Sequence, residues 1–226
     1  MKVCFFDIDG TLIASGGAGQ KAFARVFREL FGVDEISKNV AFAGRSDRAI
    51  TLDLLAAHDV EPSPENWQRF HDAYIQALPE SLAASEGRVL PGVEALIATL
   101  DEADEVEIGL LTGNVIRGAE AKLTHYQLWH HFAFGGFGDT HTSRDEIARS
   151  AVEAAGQHMG VSPNGDSRLA VIGDTVHDIT CARAIGAYAV AVPTGFTPIE
   201  ELRAAEPDLA IETLEDSQTL IDWLTE

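Results

Sequence analysis

Basic residues are scarce in this chain of 226 residues: 16 Lys and Arg stand against 36 Asp and Glu, a formal charge of -20 with a pI near 4.6. Such a surface repels phosphate backbones and anionic lipid, and no basic patch interrupts it, so neither nucleic acid nor a membrane is expected as a partner. Cysteine is rarer still. Cys4, in an apolar run, and Cys181, in a helical pattern, offer neither a disulfide framework nor a metal spacing, and both read as inert core thiols. Long hydrophobic runs are also missing. Nothing approaches the roughly 20 residues that span a bilayer, and the first residues enter a strand without a basic, then apolar, signal-type stretch. The expectation is a cytoplasmic globular protein, 46% hydrophobic, with one ample core or a core and a smaller lobe.

What is present begins with MKVCFFDIDGTL. Val3, Cys4, Phe5 and Phe6 have the character of a strand covered on both faces, so Asp7 and Asp9 at its end need a reason. They are either turn formers ahead of Gly10 or two carboxylates lifted to the rim of a parallel sheet, where open α/β folds bind ligands. Further strand-like runs lie at residues 106 to 112, 132 to 137, 168 to 173 and 187 to 192, alternating with helical patterns. That rhythm predicts an α/β fold: a Rossmann-like, mostly parallel sheet flanked by helices. Residues 14 to 87 break it. Phe23, Val26, Phe27, Leu30 and Phe31 recur at helical spacing, as do Trp67, Phe70, Tyr74 and Leu78, and Ser63-Pro64 resembles a helix start. Residues 14–87 are therefore expected to form an inserted helical lobe, and residues 1–13 with 88–226 the α/β core. Gly16, Gly17 and Gly19 lack phosphate-loop spacing and read as a hinge.

A second acidic pair stands in AVIGDTVHDI, where Asp174 follows an apolar strand and Asp178 falls on the first turn of a helix. Asp178 alone would be a capping-box acid behind Thr175. Asp7, Asp9, Asp174 and Asp178 together are different, because unit charges 4 Å apart repel by about 4 kcal/mol at an effective dielectric near 20. Such a cluster calls for a cation, and hard oxygen ligands without a histidine or thiol pattern suit Mg²⁺. Thr112, Gly113 and Asn114 of LLTGN offer a hydroxyl, an approachable amide and a carboxamide for phosphoryl oxygens, or simply a strand-to-helix turn. In HTSRDEIA, Ser143 and Glu146 suggest a capping box that places Arg144 first in a helix. The dipole disfavours a cation there, so Arg144 serves a ligand or the acids, unless it pairs with Asp139 or Asp145.

In order, DIDGTL, LLTGN, the basic residue of TSRDE and VIGDTVHDI resemble the four signatures of the haloacid dehalogenase superfamily. The likeness is to its capped phosphatases, and among them to the phosphoglycolate phosphatase-like proteins. It implies Asp7 as nucleophile and Asp9 as general acid and base. Mg²⁺ would be held by Asp7, the Asp9 carbonyl and Asp174, with Asp178 assisting directly or through water. Thr112 and Asn114, around Gly113, would bind phosphate, and Arg144 would stand where the family usually has lysine, while Lys122 reads as structural. Arg45, in FAGRSDRAI, would contact the substrate from the cap, or be a solvated surface arginine. The resemblance implies a Mg²⁺-dependent phosphatase for a small phosphorylated metabolite. A phosphosugar mutase of the same superfamily is the nearest alternative, and a phospho-receiver or other binding protein a more distant one.

Overall fold

The computed structural model describes residues 1–103, 105–162, 164 and 166–226. In chain order its first elements are β1 (Lys2–Phe6), β2 (Ile13–Ala14), α1 (Ala18–Phe31), α2 (Asp47–Ala57), α3 (Pro64–Ala83) and β3 (Arg88–Val89). There follow α4 (Val93–Asp101), β4 (Val106–Leu111), α5 (Ile116–His125), β5 (Gly135–Gly136) and α6 (Arg144–Met159). The last are β6 (Arg168–Gly173), α7 (Val176–Ala184), β7 (Tyr188–Ala191), α8 (Ile199–Ala204), β8 (Leu209–Ala210) and α9 (Gln218–Thr225).

The alternation of side chains along β1 explains its unbroken apolar run. Val3 and Phe5 enter one core with Leu111, Leu169 and Val171. Cys4 and Phe6 enter the other with Ile108, Leu110, Ala170 and Ile172. A strand with helices on both faces has no polar side to show. The sheet order is β5-β4-β1-β6-β7-β8, and every neighbouring pair is parallel. From β1 the chain builds outward to β4 and β5 on one side, then returns to add β6, β7 and β8 on the other. The reversal falls between β1 and β6, where the ends of an open parallel sheet leave a crevice. Asp7 and Asp174 are the first residues beyond those two strands.

Between β2 and β3, helices α1, α2 and α3 bury a third cluster of their own, centred on Phe23, Phe27, Phe70, Tyr74 and Leu78. Both helical spacings of the sequence are thus accounted for. Ser63 accepts from Asn66 N at 3.3 Å and Pro64 opens α3, the expected start. Sequence patterns do not reveal β2 and β3, which pair antiparallel over two residues each at the entrance and exit of this lobe. Residues 132 to 137 give a strand only at Gly135 and Gly136, and β8 is a further short edge strand. Among the described residues no helix is long and apolar enough to cross a membrane.

Candidate active site

The chain leaves β1 at Asp7 and turns through Gly10, whose φ of +89° is a left-handed conformation that glycine adopts without strain. A Cβ there would collide with the Asp174 carboxylate. The turn is therefore closed against the end of β6, and Thr194 Oγ1 secures it by donating to the Gly10 carbonyl at 2.6 Å.

Of the four aspartates, Asp7, Asp174 and Asp178 each bring an oxygen within 4.8 Å of the others, and all three are buried. Burial, then the Asp178 charge, raises Asp7 to about 7 against the opposing pull of Arg144. Burial, followed by Asp178 and Asp7, raises Asp174 to about 9. Asp174 Oδ1 is buried without a hydrogen-bond partner among the described residues. Buried, repelling hard oxygens with one orphaned atom suit a divalent cation. Asp178 is less available. Its Oδ1 accepts from Arg144, and its Oδ2 from Thr175 N at 3.1 Å and Thr175 Oγ1 at 2.6 Å, within the expected capping box.

Arg144 is the first residue of α6, as its position in TSRDE suggests, but Ser143 makes no side-chain cap. Glu146 lies instead 3.5 Å from His141, so the expected capping box is absent. Arg144 is 8% exposed and reaches Asp7 Oδ1 at 3.4 Å with one nitrogen and Asp178 with another. Neither Asp139 nor Asp145 holds it. Two carboxylates offset the unfavourable dipole, and although burial lowers its basicity, Asp178 and Asp7 raise it further.

Lys122, read from the sequence as structural, lies at the site itself. It lies on α5, is 4% exposed, and donates to Asp9 Oδ2 at 2.5 Å and Asn114 Oδ1 at 2.6 Å. Eight residues, just over two helical turns, separate it from Asn114, so a helix after LLTGN returns it to the same rim. Asp9 also accepts from Asn114 Nδ2 at 2.9 Å and from Ser15 Oγ at 3.3 Å. Burial pushes the Asp9 carboxyl up, but Lys122 and these hydrogen bonds outweigh it and hold the group below the usual range. The Asp9 side chain thus faces Lys122 and stands outside the cluster of Asp7, Asp174 and Asp178.

Thr112 is fully buried, and its Oγ1 accepts from Asn114 Nδ2 at 2.8 Å. The Gly113 carbonyl accepts from Asp47 N at 2.8 Å, and a Cβ on Gly113 would strike the Arg45 backbone. Here α2 is seated directly on the LLTGN turn. Arg45 lines the cavity, but its guanidinium is tied to Asp53 at 2.6 Å and to the Ala41 carbonyl at 3.3 Å. Asp47, in the same FAGRSDRAI stretch, is a further residue at the site. It is buried, accepts from Val115 N at 2.9 Å, and is raised to about 6 by burial, with Lys122 opposing. Between the lobe and the rim lies a cavity of about 490 Å³ floored by Asp7 and Asp9.

The pattern of the family described as "Hydrolase: haloacid dehalogenase-like hydrolase" matches residues 1–186. A phosphoglycolate phosphatase of Chromobacterium violaceum is 28% identical over 228 residues, covering 98% of this chain and 96% of that protein. One from Synechococcus elongatus is 29% identical, covering 96% and 95%. The crystal structure of CbbY from Rhodobacter sphaeroides in complex with phosphate shares the fold, with a TM-score of 0.75, 19% identity and 96% of each chain covered. The sequence resemblance is borne out: this chain belongs to the haloacid dehalogenase-like hydrolases.

Proposed function

We propose that this protein is a Mg²⁺-dependent phosphatase that hydrolyses a small phosphorylated metabolite through an aspartyl-phosphate intermediate. The observation that carries this is the meeting of Asp7, Asp174 and Asp178 with Arg144 at the ends of adjacent parallel strands. The names of the relatives from Chromobacterium violaceum and Synechococcus elongatus add phosphoester chemistry.

Asp7, Asp174 and the carbonyl of Asp9 would hold the ion, with Asp178 acting only through water because both its oxygens are engaged. When bound, Mg²⁺ would withdraw charge from the phosphoryl oxygens and relieve the repulsion among the acids. Arg144 directs the Asp7 carboxylate and adds positive charge at the phosphoryl group, while Thr112 and Asn114 fix its orientation. An Asp7 oxygen bonds to phosphorus as the bond from phosphorus to the leaving alcohol breaks, and Asp9 gives that alcohol its proton. Water, deprotonated by Asp9, then attacks the same phosphorus, the acyl phosphate bond breaks, and phosphate leaves with Asp7 restored.

Asp9 as it stands suits the second half, being an anion with its acceptors satisfied. For the first half it must take up a proton and turn from Lys122 to the leaving oxygen. The helical lobe, docked through Asp47 on Gly113 and Val115, would keep bulk water out meanwhile. The test is phosphate release from p-nitrophenyl phosphate with and without Mg²⁺, using Asp7→Asn as control. Equal inertness of both proteins over a panel of phosphorylated metabolites would end the proposal.

A further inference from the structure

The walls of the cavity carry information about the alcohol that leaves. Its size, about 490 Å³, lies within the range of about 300–1,000 Å³ usual for small-molecule pockets and leaves room for more than a two-carbon alcohol. Above the acids the lobe contributes Phe23, Phe42, Ile50 and the ring of Tyr74, with Gln20, Arg45 and Asp47 as polar neighbours. Phe196, 97% exposed, stands at the edge contributed by the core.

Three of the four cations in this lining are already committed. Lys122 serves Asp9 and Asn114, Arg144 serves Asp7 and Asp178, and Arg45 serves Asp53 and the Ala41 carbonyl. Arg88 also lines the cavity but is exposed, where solvent weakens any pairing. Asp47 and Glu86 add two further carboxylates to the walls. An anionic group at the far end of a substrate would meet no buried, uncommitted cation among the described residues, and would be repelled.

The hydroxyls differ in the same way. Ser15 donates to Asp9, Thr112 accepts from Asn114, Thr175 donates to Asp178 and Thr194 donates to the Gly10 carbonyl. Tyr74 also lines the cavity, and its hydroxyl, buried just behind the wall in a residue only 1% exposed, has no partner among the described residues. Its ring is fixed by Phe23, at 4.9 Å between centroids, and by a stacked Phe70 at 5.7 Å. The hydroxyl is thus held in place rather than free to seek water. A Cβ on Gly19 would lie 3.7 Å from Tyr74 Oη and 3.4 Å from Lys122 Nζ, so the missing side chain leaves space between them, beside Asp9. A buried hydroxyl left unpaired in the free protein is a group that a ligand can satisfy.

We propose that Tyr74 sets specificity for the leaving group, and that the substrate is the phosphate monoester of an uncharged, ring-sized alcohol. The apolar face of that ring lies on Phe23 and Phe42, and one of its hydrogen-bonding atoms meets the Tyr74 hydroxyl. This rests on the phosphatase function proposed above and narrows it away from short carboxylated alcohols.

The experiment compares three probes with the full-length protein and Mg²⁺: glucose 6-phosphate, cyclohexylmethyl phosphate and 2-phosphoglycolate. In the wild type, kcat/KM for glucose 6-phosphate is expected to exceed that for 2-phosphoglycolate by about tenfold or more. In Tyr74→Phe the ratio of kcat/KM between glucose 6-phosphate and cyclohexylmethyl phosphate is expected to fall about tenfold through KM, the loss of one neutral hydrogen bond. Preference for 2-phosphoglycolate over both ring probes would overturn the assignment without needing the variant. A ratio unchanged within twofold in a folded Tyr74→Phe protein would equally overturn it. Both results leave the phosphatase function standing, whereas release from none of the probes, with Asp7→Asn no different, would remove that function and this inference together.

Discussion

Lys122 donates to Asp9 across 113 residues of sequence at 2.5 Å, and the same ammonium holds the Asn114 carboxamide. One buried cation thereby ties the turn after β1 to the turn after β4. Burial lowers its basicity, but Asp9 and Asp47 outweigh that and raise it above the usual lysine range, so it remains an ammonium.

Replacing Lys122 with Met should therefore disturb chemistry more than folding. A buried pair broken on one side costs about 3–5 kcal/mol, but the Asp9 side chain is 40% exposed and solvent can take up part of its charge. The expected loss of stability is about 1–2 kcal/mol. Asp9 would lose its fixed orientation, and kcat should fall about a hundredfold, the usual range for a displaced acid or base. Denaturant titration and steady-state kinetics on one preparation measure both effects. A wild-type kcat in Lys122→Met would return the residue to a structural role.

Arg144 spans Asp7 and Asp178, so its geometry matters as well as its charge. Arg144→Ala should abolish turnover, because three buried carboxylates then face one another without a protein cation. Arg144→Lys keeps the charge but brings a point where a planar fork reached two acids. Its expected kcat lies between the other two, about ten- to a hundredfold below wild type. If lysine matched arginine in kinetic assays, contact with one acid would suffice.

These two cations show where sequence reasoning succeeds and where it stops. Arg144 is legible because it opposes the dipole of its own helix, which is a local fact. The same holds for Asp7 and Asp174, carboxylates at the ends of apolar strands. Lys122 obeys every local rule: a lysine late in a helix favours the dipole and needs no further cause. Its burial comes from α1 and α3, where Gly19 and Tyr74 stand beside it, and that packing has no local signature. Tyr74 is similar, for helical spacing makes its ring part of a core but says nothing of what its hydroxyl meets. Ser143 makes no side-chain cap and Glu146 turns to His141, side-chain choices that spacing does not encode. Strands β2 and β3 escape notice because two residues are too few for a period.

Asp47 gives a dependence of stability on pH. Burial raises its carboxyl from 3.8 to about 6, so between those values the folded protein binds a proton that the unfolded chain has released. Folding stability then falls as pH rises from about 4 to 6, and a raised acid is a burden above 6. At 1.36 kcal/mol per pH unit the burden is about 3 kcal/mol at most. Asp47→Asn retains an oxygen for Val115 N without the charge. It should be more stable than wild type at pH 8 by about 1–3 kcal/mol, with the difference gone below pH 4. Denaturation at pH 4 and pH 8 provides the comparison, and equal stability at both would contradict the assignment.

Asp174 supplies a test of the ion that does not depend on turnover. Its Oδ1 has no partner among the described residues, and Asp7 and Asp178 stand near it. A ligand present at 100 times its Kd stabilises the folded state by about 2.7 kcal/mol. For a protein of this size that is a rise in Tm of about 5–10 °C. Saturating Mg²⁺ added to metal-free protein should therefore raise Tm by that amount, and a chelator should reverse it. Asp174→Asn should lose the response because it removes an anionic ligand and leaves a carboxamide in its place. In contrast, Tyr74→Phe should retain the shift, since its hydroxyl lies among the lobe residues and not in the acid cluster. A calorimetric scan of these three proteins with and without Mg²⁺ separates ion binding from leaving-group recognition. A shift that survives in Asp174→Asn would place the ion elsewhere, while its loss in Tyr74→Phe would couple the helical lobe to the acids.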